Sequence, residues 1–182
     1  MLSLTIPQRE YYDDLKQEFV YLKEQRIVVE HSLISISKWE SKWKKPFLSR
    51  EPKTKVETDD YIRCMTLTPN VDPAIYAGFT RELYKKIEGY IDDTMTATWF
   101  NDNHRNSRGG KGQVITSELI YYWMVAYNIP FECEKWHLNR LLTLIRICEI
   151  KNAPDKKMKR KEIYSRNRAL NAARKKNLGT NG

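Results

Sequence analysis

Apolar and polar residues alternate from Leu2 to Ile6, and Pro7 ends the alternation, so a strand is expected at the start of the chain. Phe19 to Leu22 and Arg26 to Glu30 are rich in β-branched and aromatic residues and predict two short strands joined at Lys23-Glu24-Gln25. A β element this small needs another layer to lie on. From Ser32 the period changes: Leu33, Ile36, Trp39 and Trp43 recur at helical spacing, and Pro46 ends that helix. Thr54 with Glu57 three residues later predicts a capping box for a helix that carries Val56, Tyr61, Ile62 and Met65. Asp72-Pro73 reads as a cap followed by proline at the first helical position. Thr80 to Ile91 is a further helix, with Leu83, Tyr84, Ile87 and Ile91 on one side.

The second half of the chain is expected to hold the centre of the core. Thr116 can cap a helix from Glu118 to Asn128 that is apolar nearly all round, and such a helix is normally buried. Ile129-Pro130 breaks it. Phe131 to Ile150 then predicts the longest helix, so the two form a central helical hairpin with Trp123 at its core. Two segments lack this patterning. Asn101 to Gly112 (NDNHRNSRGGKG) has three glycines, three asparagines and no apolar residue, and reads as an exposed loop. After a charged hinge from Asn152 to Lys159, Lys161 to Lys176 suits a helix with too few apolar anchors to be held in water without a partner. The class expected is mainly α (α+β). A small N-terminal β-hairpin element (1–30) packs on a helical body (32–150), and a basic C-terminal helical tail (151–182) follows.

Charge sharpens that division. The chain of 182 residues has 32 basic and 23 acidic residues, a net +9. Residues 151–182 hold eleven of the bases and two of the acids, which leaves residues 1–150 with 21 of each. A cationic tail on a neutral body implies an acidic partner. The candidate partner-binding cations are Arg160, Lys161, Arg166, Arg168, Arg174, Lys175 and Lys176 in the tail, and Arg105, Arg108 and Lys111 in the glycine-rich loop. Trp99, beside that loop, is the one tryptophan off an apolar helical stripe and is a candidate exposed anchor. No segment approaches the roughly 20 apolar residues of a membrane helix. The start has no signal-peptide pattern, and three cysteines make no disulfide framework, which points to a reducing cytoplasm.

Catalytic and metal-binding patterns are weak. Cys133 and His137 lie four residues apart, within reach of one metal if both sit on one helix face. Further ligands would have to come from Cys64, Cys148 or His31, and no CxxC or HxxxH pair exists. SRGGKG (Ser107 to Gly112) lacks the GxxxxGK[ST] spacing of a phosphate-cradling loop. Asn101 to His104 lacks the second histidine of an HNH nuclease. No GxSxG, HExxH or paired-carboxylate pattern is present. The reading is a non-enzymatic protein with no catalytic residue, cofactor or metal.

EHSLISISKWESKWKKPF (Glu30 to Phe47), DYIRCMT (Asp60 to Thr66), ELIYYWMVAYNIPFECEKWHLNRLLTLIR (Glu118 to Arg146) and SRNRALNAARKKNLGTNG (Ser165 to Gly182) together resemble proteins of the tail-assembly gene modules of long-tailed phages. Within that group the chain resembles tail assembly chaperones. The resemblance implies a small, largely helical protein in the host bacterial cytoplasm, self-associating, that coats the tape-measure protein, hands it tail tube subunits and is lost from the finished particle. It implies no catalytic residues. Two other readings fit the residues: a nucleic-acid-binding protein that uses the basic tail and the Arg105–Lys111 loop, and a structural tail or connector component of the virion. Nucleic-acid binding through the tail would weaken steeply with salt.

Overall fold

The computed structural model describes residues 1–13, 17–100, 114–153 and 160–179. Two compact units divide the chain, Met1–Glu149 and Ile150–Gly182. The fold is mainly α with a small β component, in the order β1 (Leu2–Ile6), β2 (Arg9–Asp13), β3 (Glu18–Leu22), β4 (Gln25–Val29), α1 (Leu33–Trp43), α2 (Lys55–Met65), α3 (Arg81–Asp92), α4 (Ser117–Ala126), α5 (Leu138–Asn152) and α6 (Arg160–Leu178). Short 3₁₀ turns at Pro73–Gly78 and Phe131–Lys135 precede α3 and α5.

The N-terminal strands form one long antiparallel hairpin. β1 pairs with β4, and β2 pairs with β3, rather than β3 with β4. The register is shared by both halves: Ile6 lies opposite Gln25 and, three residues further along each strand, Arg9 lies opposite Leu22. Lys23-Glu24 is therefore a jog within a continuing strand, and the chain reverses between Asp13 and Glu18 instead. The strand β2 was not expected. Its Arg-Glu-Tyr-Tyr-Asp sequence pairs only two aromatics with charges and gives a weak periodic signal. At the base of the hairpin, Leu4, Ile6, Ile27 and Val29 are buried in the common core with Leu33, Ile36, Trp39 and Met65. The outer edge of β4 is closed by the chain leaving α2, where Glu30 N–H donates to the Met65 carbonyl (2.9 Å) and Leu67 N–H to that of Val28 (2.8 Å). Closing an edge in this way removes a template for unwanted pairing.

The helix ends follow the caps in the sequence. Ser32, Thr54, Thr80 and Thr116 each accept a backbone N–H at the start of α1, α2, α3 and α4. The expected box at Thr54 is complete, because Glu57 answers with a bond to the Thr54 N–H (2.8 Å). Asp72 caps the 3₁₀ turn through Ala74 N–H (2.9 Å). α1 is the hub, with α2 and α4 both packed on it. Val56, expected with the core set of α2, is exposed, whereas Tyr61, Ile62 and Met65 are buried.

Two expectations for the second half are corrected. Phe131 to Ile150 is not one helix. A 3₁₀ turn ends at Lys135, Trp136 is extended (φ −71°, ψ 162°), and α5 begins only at Leu138. The break lets the residues around His137 bridge to Ser32 and lets Leu138 N–H donate to the His31 carbonyl (2.7 Å). α6, at 19 residues, is longer than α5, at 15. Nor is α4 buried all round: Ser117, Ile120 and Met124 face the core, while Trp123 is only half-buried and Tyr122 and Val125 are exposed. The main helical neighbour of α4 is α1, so the central element is this packing rather than an α4–α5 hairpin. The glycine-rich loop, with Arg105, Arg108 and Lys111, lies outside the described residues.

Candidate functional site

The buried polar groups are the first place to look for chemistry, and they are committed to holding the fold. His31 Nδ1 lies 2.5 Å from the Tyr61 hydroxyl, which lies 3.2 Å from Ser35 Oγ, which donates to the Ser32 carbonyl (2.7 Å). With Ser35 Oγ donating to that carbonyl, donation from the His31 ring N–H through Tyr61 to Ser35 uses both of these hydroxyls. Burial, with the neighbouring His137 adding to it, pushes the His31 pKa down to about 3, so the ring stays neutral. Burial also raises the Tyr61 hydroxyl well above its ordinary value. The His31 and His137 rings meet edge to face at 5.1 Å. His137 uses both nitrogens: Nε2 donates to the Tyr90 carbonyl (2.9 Å), and Nδ1 accepts from Asn139 N–H (3.3 Å). Cys133 and His137 do not share a helix face as expected: Cys133 lies on the 3₁₀ turn and His137 at the bridge to Ser32. Among the described residues no group of three His, Cys, Asp or Glu is placed to hold a metal, and every buried side-chain nitrogen and oxygen has a hydrogen-bond partner.

Acidic residues on the body's helices are likewise engaged. The Asp60 carboxylate accepts from Lys42 and from Trp43 Nε1. Burial pushes its pKa up, but these two bonds outweigh that and hold it below the ordinary value. Glu57 is held at about 2, chiefly by the Lys45 ammonium and the Thr54 N–H. These are structural clamps joining α1 and its following loop to α2.

The surface carries the features that suit binding. α4 has Tyr122 (65% exposed) and Val125 (60%) one turn apart, and Phe131 (55%) continues the same region, its ring 6.4 Å from that of Tyr121. Tyr121 is anchored by its hydroxyl bond to Glu134 (2.8 Å). Two exposed rings and a valine, on a capped helix and the turn that follows it, have the composition of a protein-binding patch. The sequence shows these residues, but the all-round apolar pattern hides which face is free.

Trp99 is 93% exposed, as its position off the helical stripes suggests. It borders a cleft of about 300 Å³ between the segment Thr94–Phe100 and α5, whose floor includes Leu142 and Thr143. The Arg146 guanidinium stacks 3.9 Å over the Phe100 ring, a contact that fixes the segment against α5. Asn139 fixes its other end by donating to the Ile91 (3.0 Å) and Asp93 (2.7 Å) carbonyls. Sequence patterning alone does not reveal these contributions from α5.

Of the tail cations, Arg166, Arg168, Arg174, Lys175 and Lys176 are exposed on α6. Arg160 and Lys161 fall in its first turn, and their side chains lie outside the described residues. Tyr164 (66% exposed), Leu170 (47%) and Leu178 (73%) share this helix, which buries no described side chain. Among the described residues no helix is long and apolar enough to cross a membrane. Compared with family models, with curated proteins and with solved structures, the chain matches none.

Proposed function

We propose that this protein is a non-enzymatic assembly chaperone of a long-tailed phage, which covers the apolar face of the tape-measure protein and presents it to tail tube subunits in the host cytoplasm. One observation carries the reading most: α4 is apolar on every side yet leaves Tyr122 and Val125 open on a rigid surface, next to Phe131. A tape-measure protein is a long helix with an apolar face, which aggregates if uncovered. An exposed helix stripe flanked by aromatic rings offers such a helix a matching surface, read through side chains one turn apart. The resemblance of residues 30–47, 60–66, 118–146 and 165–182 to tail-module proteins supplies the class of partner. The exposed Trp99 beside its cleft is a second anchoring point on the same body.

The test is capture of the tagged protein from infected cells, with mass spectrometry of what it holds and of purified virions. The expected result is recovery of tape-measure and tube proteins and absence from particles. Stoichiometric presence in particles would make it a structural virion component instead.

A further inference from the structure

We infer that one face of α6 lies in the major groove of duplex DNA and reads base edges there, a partner beyond the tape-measure protein. Tyr164, Asn167, Arg168, Asn171, Ala172 and Lys175 border a common depression on the helix surface, and all six are exposed. Their spacing of three and four residues sets them along one side of the helix. At about 100° per residue, Arg174 and Lys176 stand about a quarter and a third of a turn to either side of that face. Ala169, Leu170 and Ala173 lie behind it. The face thus has two amides and a guanidinium at its centre and cations along its flanks. Neutralising phosphates takes cations alone. Asparagine is a poor helix former, so two of them one turn apart inside a helix add nothing to its stability.

Charge gives the class of partner. Residues 164–178 hold five bases and no acid, which suits a polyanion of high and regular charge density. Residues 1–150 carry 21 bases and 21 acids, so net charge does not assign this face to the chain's own body. The amides narrow the choice further. A carboxylate surface only accepts hydrogen bonds, whereas an asparagine amide sets a donor beside an acceptor, the pair that matches adenine N7 and N6 in the major groove. Arg168 supplies the two parallel donors that match guanine N7 and O6, and Ala172 suits a thymine methyl. The major groove of B-DNA, about 12 Å wide, admits an α-helix, whereas that of A-form RNA is too deep and narrow for side chains to read. Arg174 and Lys176 then face the phosphates of the two groove walls. Asn167 and Asn171 are four residues apart, about 6 Å along the axis, close to two base-pair steps of about 3.4 Å. The sequence read is short: two adenines about two steps apart, with a guanine beside them.

The experiment uses the full chain to select bound duplexes from a DNA library of random sequence. Affinity is then measured for the enriched duplex, a scrambled duplex of the same composition, the matching RNA duplex and polyglutamate. The enriched duplex is expected to bind at least tenfold more tightly than each of the other three. Asn167→Ala with Asn171→Ala leaves the charge unchanged and favours the helix. It is expected to lower affinity for the enriched duplex at least tenfold, toward the scrambled level, since one bidentate base contact discriminates by roughly 5- to 150-fold. Lys176→Ala is expected to weaken both DNA duplexes by the same factor and to reduce the log–log salt slope by about 0.9, the value for one phosphate. Circular dichroism of each variant must match wild type. Where the asparagine pair does not, Arg168→Lys replaces it, keeping the charge but losing the fork, with the same loss of preference expected. Failure to bind any duplex overturns the inference. So does selection that enriches no sequence, which would make α6 an arm for phosphates alone, or a preference that both variants leave intact. Tighter binding to the RNA duplex or to polyglutamate would give the face to RNA or to an acidic protein and overturn it equally. The outcome is independent of tape-measure capture, which is read through α4.

Discussion

Glu40 on α1 and Ser117, 77 residues later at the first position of α4, are joined by a 2.7 Å hydrogen bond from the Ser117 N–H to Glu40 Oε2. The other oxygen, Oε1, accepts the Phe47 N–H, also at 2.7 Å. One buried carboxylate therefore fixes both the chain leaving α1 and the N-terminus of α4, where negative charge is favoured by the exposed amide dipoles. The bond ties down the end of α4 whose Ser117, Ile120 and Met124 side is buried, the side opposite the exposed Tyr122 and Val125.

Replacing Glu40 by Gln leaves one of the two buried N–H groups facing an amide NH2. The expected loss is about 1–3 kcal/mol, the cost of an unsatisfied buried donor. Urea unfolding of Glu40→Gln measures it. A midpoint equal to wild type would show that Ser117 finds another acceptor.

His31 makes stability depend on pH in a defined window. Its pKa is lowered to about 3 in the fold, from 6.5 for an exposed histidine. Between those values the unfolded chain binds a proton that the folded chain does not. Stability from this group is complete above about 6.5 and is lost as pH falls toward 3, by up to about 1.4 kcal/mol per pH unit. Glu57 acts lower, between the ordinary carboxylate range and about 2. In His31→Gln, stability at pH 7 is expected to fall, but its decline from pH 6.5 to 5 should flatten. Thermal melts across that range check this; an unchanged slope would assign it to other groups.

The local parts of the fold were legible because local chemistry dictates them. Thr54, Asp72 and Thr116 cap where their spacing says they do, and Leu33, Ile36 and Trp39 face the core as their period requires. What was not legible depends on long-range partners. Lys23-Glu24 looks like a turn until β4 is seen to find β1, and the pairing follows from burial of Leu4 and Ile27 together. The helix period of Phe131 to Ile150 is interrupted because His137 is drawn to Tyr90 and to the Ser32 bridge. Among the candidate surfaces, Trp99 was visible as an aromatic off any stripe. The open side of α4 was not, because Tyr122 and Val125 look the same as Ile120 and Met124 until the packing of α4 on α1 is known.

Gly89 lies inside α3 with nothing within 4 Å of where a Cβ would stand. Glycine in a helix interior costs roughly 0.5–1 kcal/mol relative to alanine, mostly through the freedom it has when unfolded. Gly89→Ala is expected to stabilise by that amount and to raise Tm by a few degrees. The same change at Gly78, whose added carbon would meet Leu22 Cδ1 at 2.7 Å, should bring no such gain. A fall in Tm for Gly89→Ala would show that this side of α3 is covered in solution.

The two sides of α4 should separate stability from binding. Ile120 and Met124 are fully buried, so alanine at either is expected to cost about 2–5 kcal/mol. Trp123, only half-buried, should cost less than a fully buried tryptophan would. Tyr122→Ser with Val125→Ser changes exposed positions and should stay within about 0.5 kcal/mol per site of wild type in urea unfolding. The same double variant is expected to lose capture of the tape-measure protein from infected cells. A large destabilisation by the exposed pair would mean that α4 is rotated in solution. A stable variant with undiminished capture would move the partner contact off α4, leaving the Trp99 cleft as the surface to test next.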